Sequence, residues 1–122
     1  MPALHFGQSH VPLSPAVRAG DFVFVSGQVP VDASGRLVRG DVQAQTRQVI
    51  ENLAAALALA GCRLDQVVKT LVVLTDAGDF TAFNQAYREY FPTLPPARTT
   101  LAAQLMIDAK VEIEAIAYAP QD

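Results

Sequence analysis

The 122-residue sequence predicts an α+β fold in which a mixed β-sheet carries two helices on one face. Three observations predict it. Apolar patterning changes period along the chain in the order strand, strand, helix, strand, helix, strand, strand. The two helical stretches are apolar along one side only. The strands carry apolar residues on both sides, so the sheet face away from the helices needs a cover of its own.

The elements follow in order. Residues 1–15 read as irregular, punctuated by Pro2, Pro12 and Pro15. Ala16 to Ala19 and Phe22 to Val25 read as strands around Gly20-Asp21, and the unbroken run Phe22-Val23-Phe24-Val25 is that of a strand covered on both faces. At Ser26-Gly27-Gln28-Val29-Pro30 two readings are open. The glycine permits a bulge or a close approach of backbone to ligand, with the Ser26 hydroxyl and Gln28 amide beside it, or the stretch is a plain strand exit. Asp32 to Gly40 is a surface loop.

Asp41 can cap the next element. From there Val42, Thr46, Val49, Leu53, Leu57 and Ala60 recur at helical spacing, and Gly61 stands where a left-handed cap is expected. Val67 to Leu74, long and rich in β-branched residues, predicts a strand. Asp76 to Asp79 form a turn, with Asp79 able to cap a second helix whose stripe is Phe80, Phe83, Tyr87 and Tyr90 or Phe91. The stripe reads as core. Asn84 beside it is either a buried, satisfied amide or a functional one.

Pro92, Pro95 and Pro96 force an extended approach to Arg98, and strands over Thr99–Leu105 and Lys110–Tyr118 close the chain. In the last strand Val111, Ile113, Ala115 and Ala117 share one face, and Glu112, Glu114, Ile116 and Tyr118 the other. Carboxylates on a partly apolar face normally have a partner.

Composition bounds the function. The length suits one domain, 1–122, and 51% hydrophobic residues are enough for a core. A net charge of -3 and a pI near 5.2 supply no basic field for nucleic acid. Cys62 is the single cysteine, so no internal disulfide or cysteine cluster can form, and His5 and His10 lack the further ligands of a metal site. The first ten residues lack a basic start and an apolar centre, and no run approaches the roughly 20 apolar residues of a membrane span. A cytoplasmic protein is therefore expected.

Arg98 and the glutamates of the last strand are the candidates for chemistry. Two closing strands in one small sheet could bring a guanidinium and a carboxylate close together. The arginine would grip a small carboxylic acid by two parallel hydrogen bonds, and the carboxylate would position or deprotonate water. The alternative is three solvated surface charges.

Five pieces, in order, resemble the RidA/YjgF family of reactive-intermediate deaminases. They are Phe24-Val25-Ser26-Gly27-Gln28-Val29-Pro30; Gln45-Thr46 through Asn52-Leu53 to Ala60-Gly61; Asp79-Phe80 with Asn84 and Tyr87; Pro96-Ala97-Arg98-Thr99; and Val111 to Ala117. The likeness runs from about Ser14 to Tyr118. It implies a chorismate-mutase-like sandwich assembled as a homotrimer, with sites in the clefts between subunits. It implies that Arg98 binds the carboxylate of a 2-imino acid and that Glu112 attends the hydrolytic water. Ser26 and Gly27 would line the cleft, with Asn84 near it. The implied reaction is hydrolysis of 2-imino acids such as 2-iminobutanoate and 2-iminopropanoate, or of their enamines, to 2-oxo acids and ammonia, without cofactor or metal.

The chain departs from the better-known members at Ala16, where they carry tyrosine, at Thr100, often cysteine, and at Leu105-Met106, commonly leucine-proline. These changes concern substrate range more than reaction type. The alternatives are an endoribonuclease or translation inhibitor, against which the acidic balance argues, and a non-catalytic small-carboxylate-binding or holdase protein using the same Arg98.

Overall fold

The computed structural model describes residues 2–121; the ends of the 1–122 span, Met1 and Asp122, lie outside the described residues. The chain runs β1 (Leu4–Phe6), β2 (Ala16–Ala19), β3 (Phe22–Gln28), α1 (Val42–Leu59), β4 (Val67–Leu74), α2 (Phe80–Tyr90), β5 (Ala97–Ala102) and β6 (Val111–Tyr118). The strands form one six-stranded sheet in the order β1-β2-β3-β6-β4-β5. Only β4 and β5 pair in parallel, joined through α2; all other neighbours are antiparallel. The last strand thus sits in the middle of the sheet, between β3 and β4. This is the expected mixed sheet with two helices.

The helices form where the periodicity places them. Asp41 accepts a hydrogen bond from the Ala44 N–H at 2.9 Å and caps α1. At the other end the Cys62 N–H reaches the Leu57 carbonyl and the Gly61 N–H the Ala58 carbonyl. Gly61 has φ +75°, the left-handed geometry of this closing motif, which costs a side-chain-bearing residue most. Val49, Ile50, Leu53 and Leu57 of α1 and Phe83 of α2 are fully buried against the helix-side faces of β3, β4 and β6. Each contributes about 1.5–3 kcal/mol of apolar burial. The helices are tied together by Arg47, which forks onto Glu89 at 3.0 and 2.8 Å, and by Gln43, which donates to Ala82 and Gln85.

Several expectations need correction. Leu4–Phe6, read as irregular, pairs with β2 as an edge strand; three residues are too few to show a period. β5 covers Ala97–Ala102 rather than Thr99–Leu105, because its length is set by pairing with Lys69–Leu74. Asp79 makes no side-chain cap: a single 3₁₀ turn, Ala77–Asp79, feeds α2 directly, and Asp76 caps that turn through Gly78 at 2.8 Å. Arg18, unremarked in its strand, is only 5% exposed. Its guanidinium donates to the carbonyls of Ala119, Gly20 and Ala60, the last at the end of α1, and approaches the Cys62 sulfur. A buried cation so surrounded joins the sheet edge to the helix C-terminus.

One sheet face is covered and the other is bare. In β6 Val111, Ile113, Ala115 and Ala117 are buried under the helices, whereas Glu112 and Ile116 are half-buried and Glu114 and Tyr118 exposed on the opposite face. On the bare face Phe22, Phe24 and Tyr118 keep 42%, 44% and 47% of their surface. The cover expected over Phe22–Val25 is therefore not supplied by the described residues.

Candidate functional site

Arg98 pairs with Thr70 in the β4–β5 register. Thr70 is fully buried and holds the Tyr87 hydroxyl at 2.8 Å, so Arg98 shares the helix-side face. Its guanidinium carbon lies 4.9 Å from the ring centre of Tyr87, 5.5 Å from Phe83 and 5.7 Å from Phe80. The stripe read as core packing is thus also the platform on which the guanidinium rests. Burial raises the Tyr87 phenol's pKa; the hydrogen bond to Thr70 and the Arg98 charge partly oppose this. Among the described residues nothing accepts a hydrogen bond from Arg98; the ion pairs there use Arg39, Arg47 and Arg63.

Arg98 opens into a cleft of about 370 Å³ between the second half of α2 and the Phe91–Pro96 loop. Asn84 lines the same cleft, and its Oδ1 is buried without a hydrogen-bond partner. The amide is therefore not the satisfied one of the plainer reading. The loop wall is stiffened by Pro92, Pro95 and Pro96, and Leu94 adopts φ +47° within it. Arg88 also lines this cleft, and sequence reading passed over it; its place one turn beyond Asn84 was the available signal. Beyond Arg98, the Thr100 hydroxyl too is buried without a partner.

The second group of candidates lies elsewhere. Between Val25 and Gln28 the β3–β6 register slips by one residue, so that Ser26 and Gly27 together face Glu114. This is a bulge, not a plain strand exit. It turns Gly27 beneath Glu112, and a Cβ built on Gly27 would collide with the Glu112 carboxylate. Ser26 gives its hydroxyl proton to the Ser14 carbonyl at 2.6 Å and its N–H to Pro15. Towards a ligand it therefore keeps acceptor capacity only.

Glu112 makes no hydrogen bond or ion pair among the described residues. Burial, and secondarily the charge of Glu114, raise its pKa above the usual carboxylate value. Glu114, for which the partly apolar face predicts a partner, makes no ion pair there either. Lys69 on the same face gives its ammonium to Thr99 instead.

The expectation that two closing strands bring guanidinium and carboxylate together fails within one chain. β4 separates β5 from β6, and Glu112 pairs with Val73, three residues along β4 from the Thr70 that pairs with Arg98. Strand spacing and rise put the two Cα atoms about 14 Å apart. Arg98 points to the helix side and Glu112 to the bare side. Arg98 and Asn84 therefore fall in one group, and Ser26, Gly27 and Glu112 in another.

Residues 7–119 match the family model described as Endoribonuclease L-PSP. The chain is 47% identical over 109 residues, 88% of its length and 86% of the relative's, to a RutC family protein of Pyrococcus horikoshii. It is 41% identical over 108 residues to Reactive Intermediate Deaminase A, chloroplastic, of Arabidopsis thaliana, covering 87% of this chain and 58% of that one. The crystal structure of E. coli TdcF with bound serine superimposes with a TM-score of 0.87 at 34% identity, covering 94% of this chain and 98% of that one.

Proposed function

We propose that this chain, which belongs to the RidA/YjgF family whose model is described as Endoribonuclease L-PSP, is a deaminase of small 2-imino acids. Its substrates are 2-iminobutanoate, 2-iminopropanoate and their enamines, and its products are 2-oxo acids and ammonia. The observation that carries the reading is the pair of unspent charges. One is a guanidinium seated on three aromatic rings with no anion of its own among the described residues, and the other is a half-buried carboxylate with a raised pKa. Each suits one half of an imine hydrolysis. The deaminase name of one relative and the serine, a small carboxylic acid, bound to another support the reading.

In this reading the chain works as a homotrimer. The bare sheet face, with Phe22, Phe24 and Tyr118, packs against a second copy. Arg98 and Asn84 of one subunit then face Glu112, Gly27 and Ser26 of its neighbour. Arg98 takes the substrate carboxylate in a fork of two hydrogen bonds and orients the imine carbon. Glu112 accepts a proton from water as its oxygen bonds to that carbon. With the imine nitrogen protonated this gives a neutral carbinolamine; Glu112 returns the proton to its nitrogen, the C–N bond breaks to release ammonia, and the hydroxyl proton passes to Glu112 and on to solvent as the water oxygen becomes the keto oxygen. General acid–base help of this kind contributes roughly 10²–10⁴-fold. A raised pKa makes the carboxylate a stronger base than a free one. No cofactor enters the scheme.

The endoribonuclease reading has less support. The chain carries a net charge of -3, which opposes binding to a phosphate backbone. The test is to generate 2-iminobutanoate in situ with a dehydratase and follow its decay with and without the protein. Faster decay with the protein supports the reading, and equal decay overturns it.

A further inference from the structure

We propose that Arg88 is a second anion-binding residue of the Arg98 cleft, and that the preferred ligands are short 2-imino dicarboxylic acids whose distal carboxylate reaches Arg88. The inference rests on the deaminase reading for its chemistry and on the cleft itself for its geometry.

Arg88 and Arg98 both line the cleft of about 370 Å³, and among the described residues no aspartate or glutamate lines it. In a chain of net charge -3 this is a local excess of positive charge. Two guanidinia sharing one small cleft repel each other unless an anion lies between them. Neither donates to a carboxylate among the described residues. Glu89, the acid adjacent to Arg88 in sequence, is already held by two Arg47 nitrogens on the α1 side. Arg88 is in the last turn of α2, where a cation favours the helix dipole, but that preference does not by itself place the residue in the cleft.

The two arginines differ in depth. Arg98 is half-buried and fixed on its rings, as suits the carboxylate beside the reacting carbon. Arg88 is exposed at the rim, one helical turn beyond Asn84. A monocarboxylic imino acid uses Arg98 alone. A dicarboxylic one also neutralises Arg88.

The test titrates the full-length protein with 2-oxoglutarate and with 2-oxobutanoate by calorimetry at low salt. The wild type is expected to prefer the dicarboxylate. Arg88→Ala is expected to lower the affinity ratio about three- to tenfold, modest because an exposed charge is screened, and Arg88→Glu to lower it further. A ratio that neither variant moves overturns the proposal. In parallel, turnover of 2-iminoglutarate is compared with that of 2-iminobutanoate. If neither imine is hydrolysed, the deaminase reading falls while the binding ratio still decides the role of Arg88.

Discussion

The Glu112 carboxylate occupies the space that a side chain on Gly27 would need. The bulge at Ser26-Gly27 and the glycine together let this carboxylate lie flat over β3. Gly27→Ala is expected to displace Glu112, the mobile partner, rather than the backbone. Stability should change by about 1 kcal/mol or less, while turnover falls about tenfold to a hundredfold from misplacement of the base. Thermal melts and steady-state kinetics on one sample check this; undiminished turnover would show that the position of Glu112 does not matter.

The raised pKa of Glu112 makes opposite predictions for activity and stability. Because folding favours its protonated form, Glu112 adds stability below its unfolded value near 4.5 and loses that contribution as pH rises through the folded value. At neutral pH the ionised side chain is a cost. Glu112→Gln should therefore raise the melting temperature at pH 7 while lowering kcat more than it raises KM. The acid limb of the kcat/KM profile should lie above the usual carboxylate range. Glu114→Gln removes the lesser cause of the shift and should move that limb to lower pH without abolishing turnover. A limb unmoved by Glu114→Gln would mean that burial alone sets it.

Arg98→Ala should leave a folded protein, less stable by about 1 kcal/mol through loss of its contacts with the three rings. Binding of small carboxylates should weaken about tenfold to a hundredfold with the charged hydrogen bonds gone. Arg98→Lys should recover little, since an ammonium offers a point charge in place of a planar fork. Wild-type kcat/KM in a folded Arg98→Ala variant would remove this residue from the site.

Arg98 and Glu112 stand on opposite faces of one sheet, so a site built from both needs two chains. Arg98→Ala and Glu112→Gln variants, each impaired alone, should regain activity when unfolded together and refolded as a mixture. Random assembly of equal amounts restores both groups in about one quarter of sites. Light scattering should report the trimer in the same samples. No recovery in a mixed trimer would place both groups in one subunit's site, against the geometry.

Much of this protein is legible residue by residue. The face of α1, the cap at Asp41, the closing glycine at Gly61 and the alternation of β6 all depend on neighbours within a few positions, and the sequence by itself determined them. Arg98 and Glu112 were legible as candidates for the same reason: each stands out against a short apolar run. Their relationship was not. Only the tertiary structure inserted β6 between β3 and β4, slipped its register by one residue at Gly27, and set Arg98 beneath α2 with Glu112 on the far face. It also placed Arg18 against the Ala119 carbonyl, 101 residues away, and put Arg88 in the cleft of Arg98. Strand periodicity says which residues share a face, but strand order is chosen by pairing energies between segments far apart in the chain, and those leave no local pattern to read.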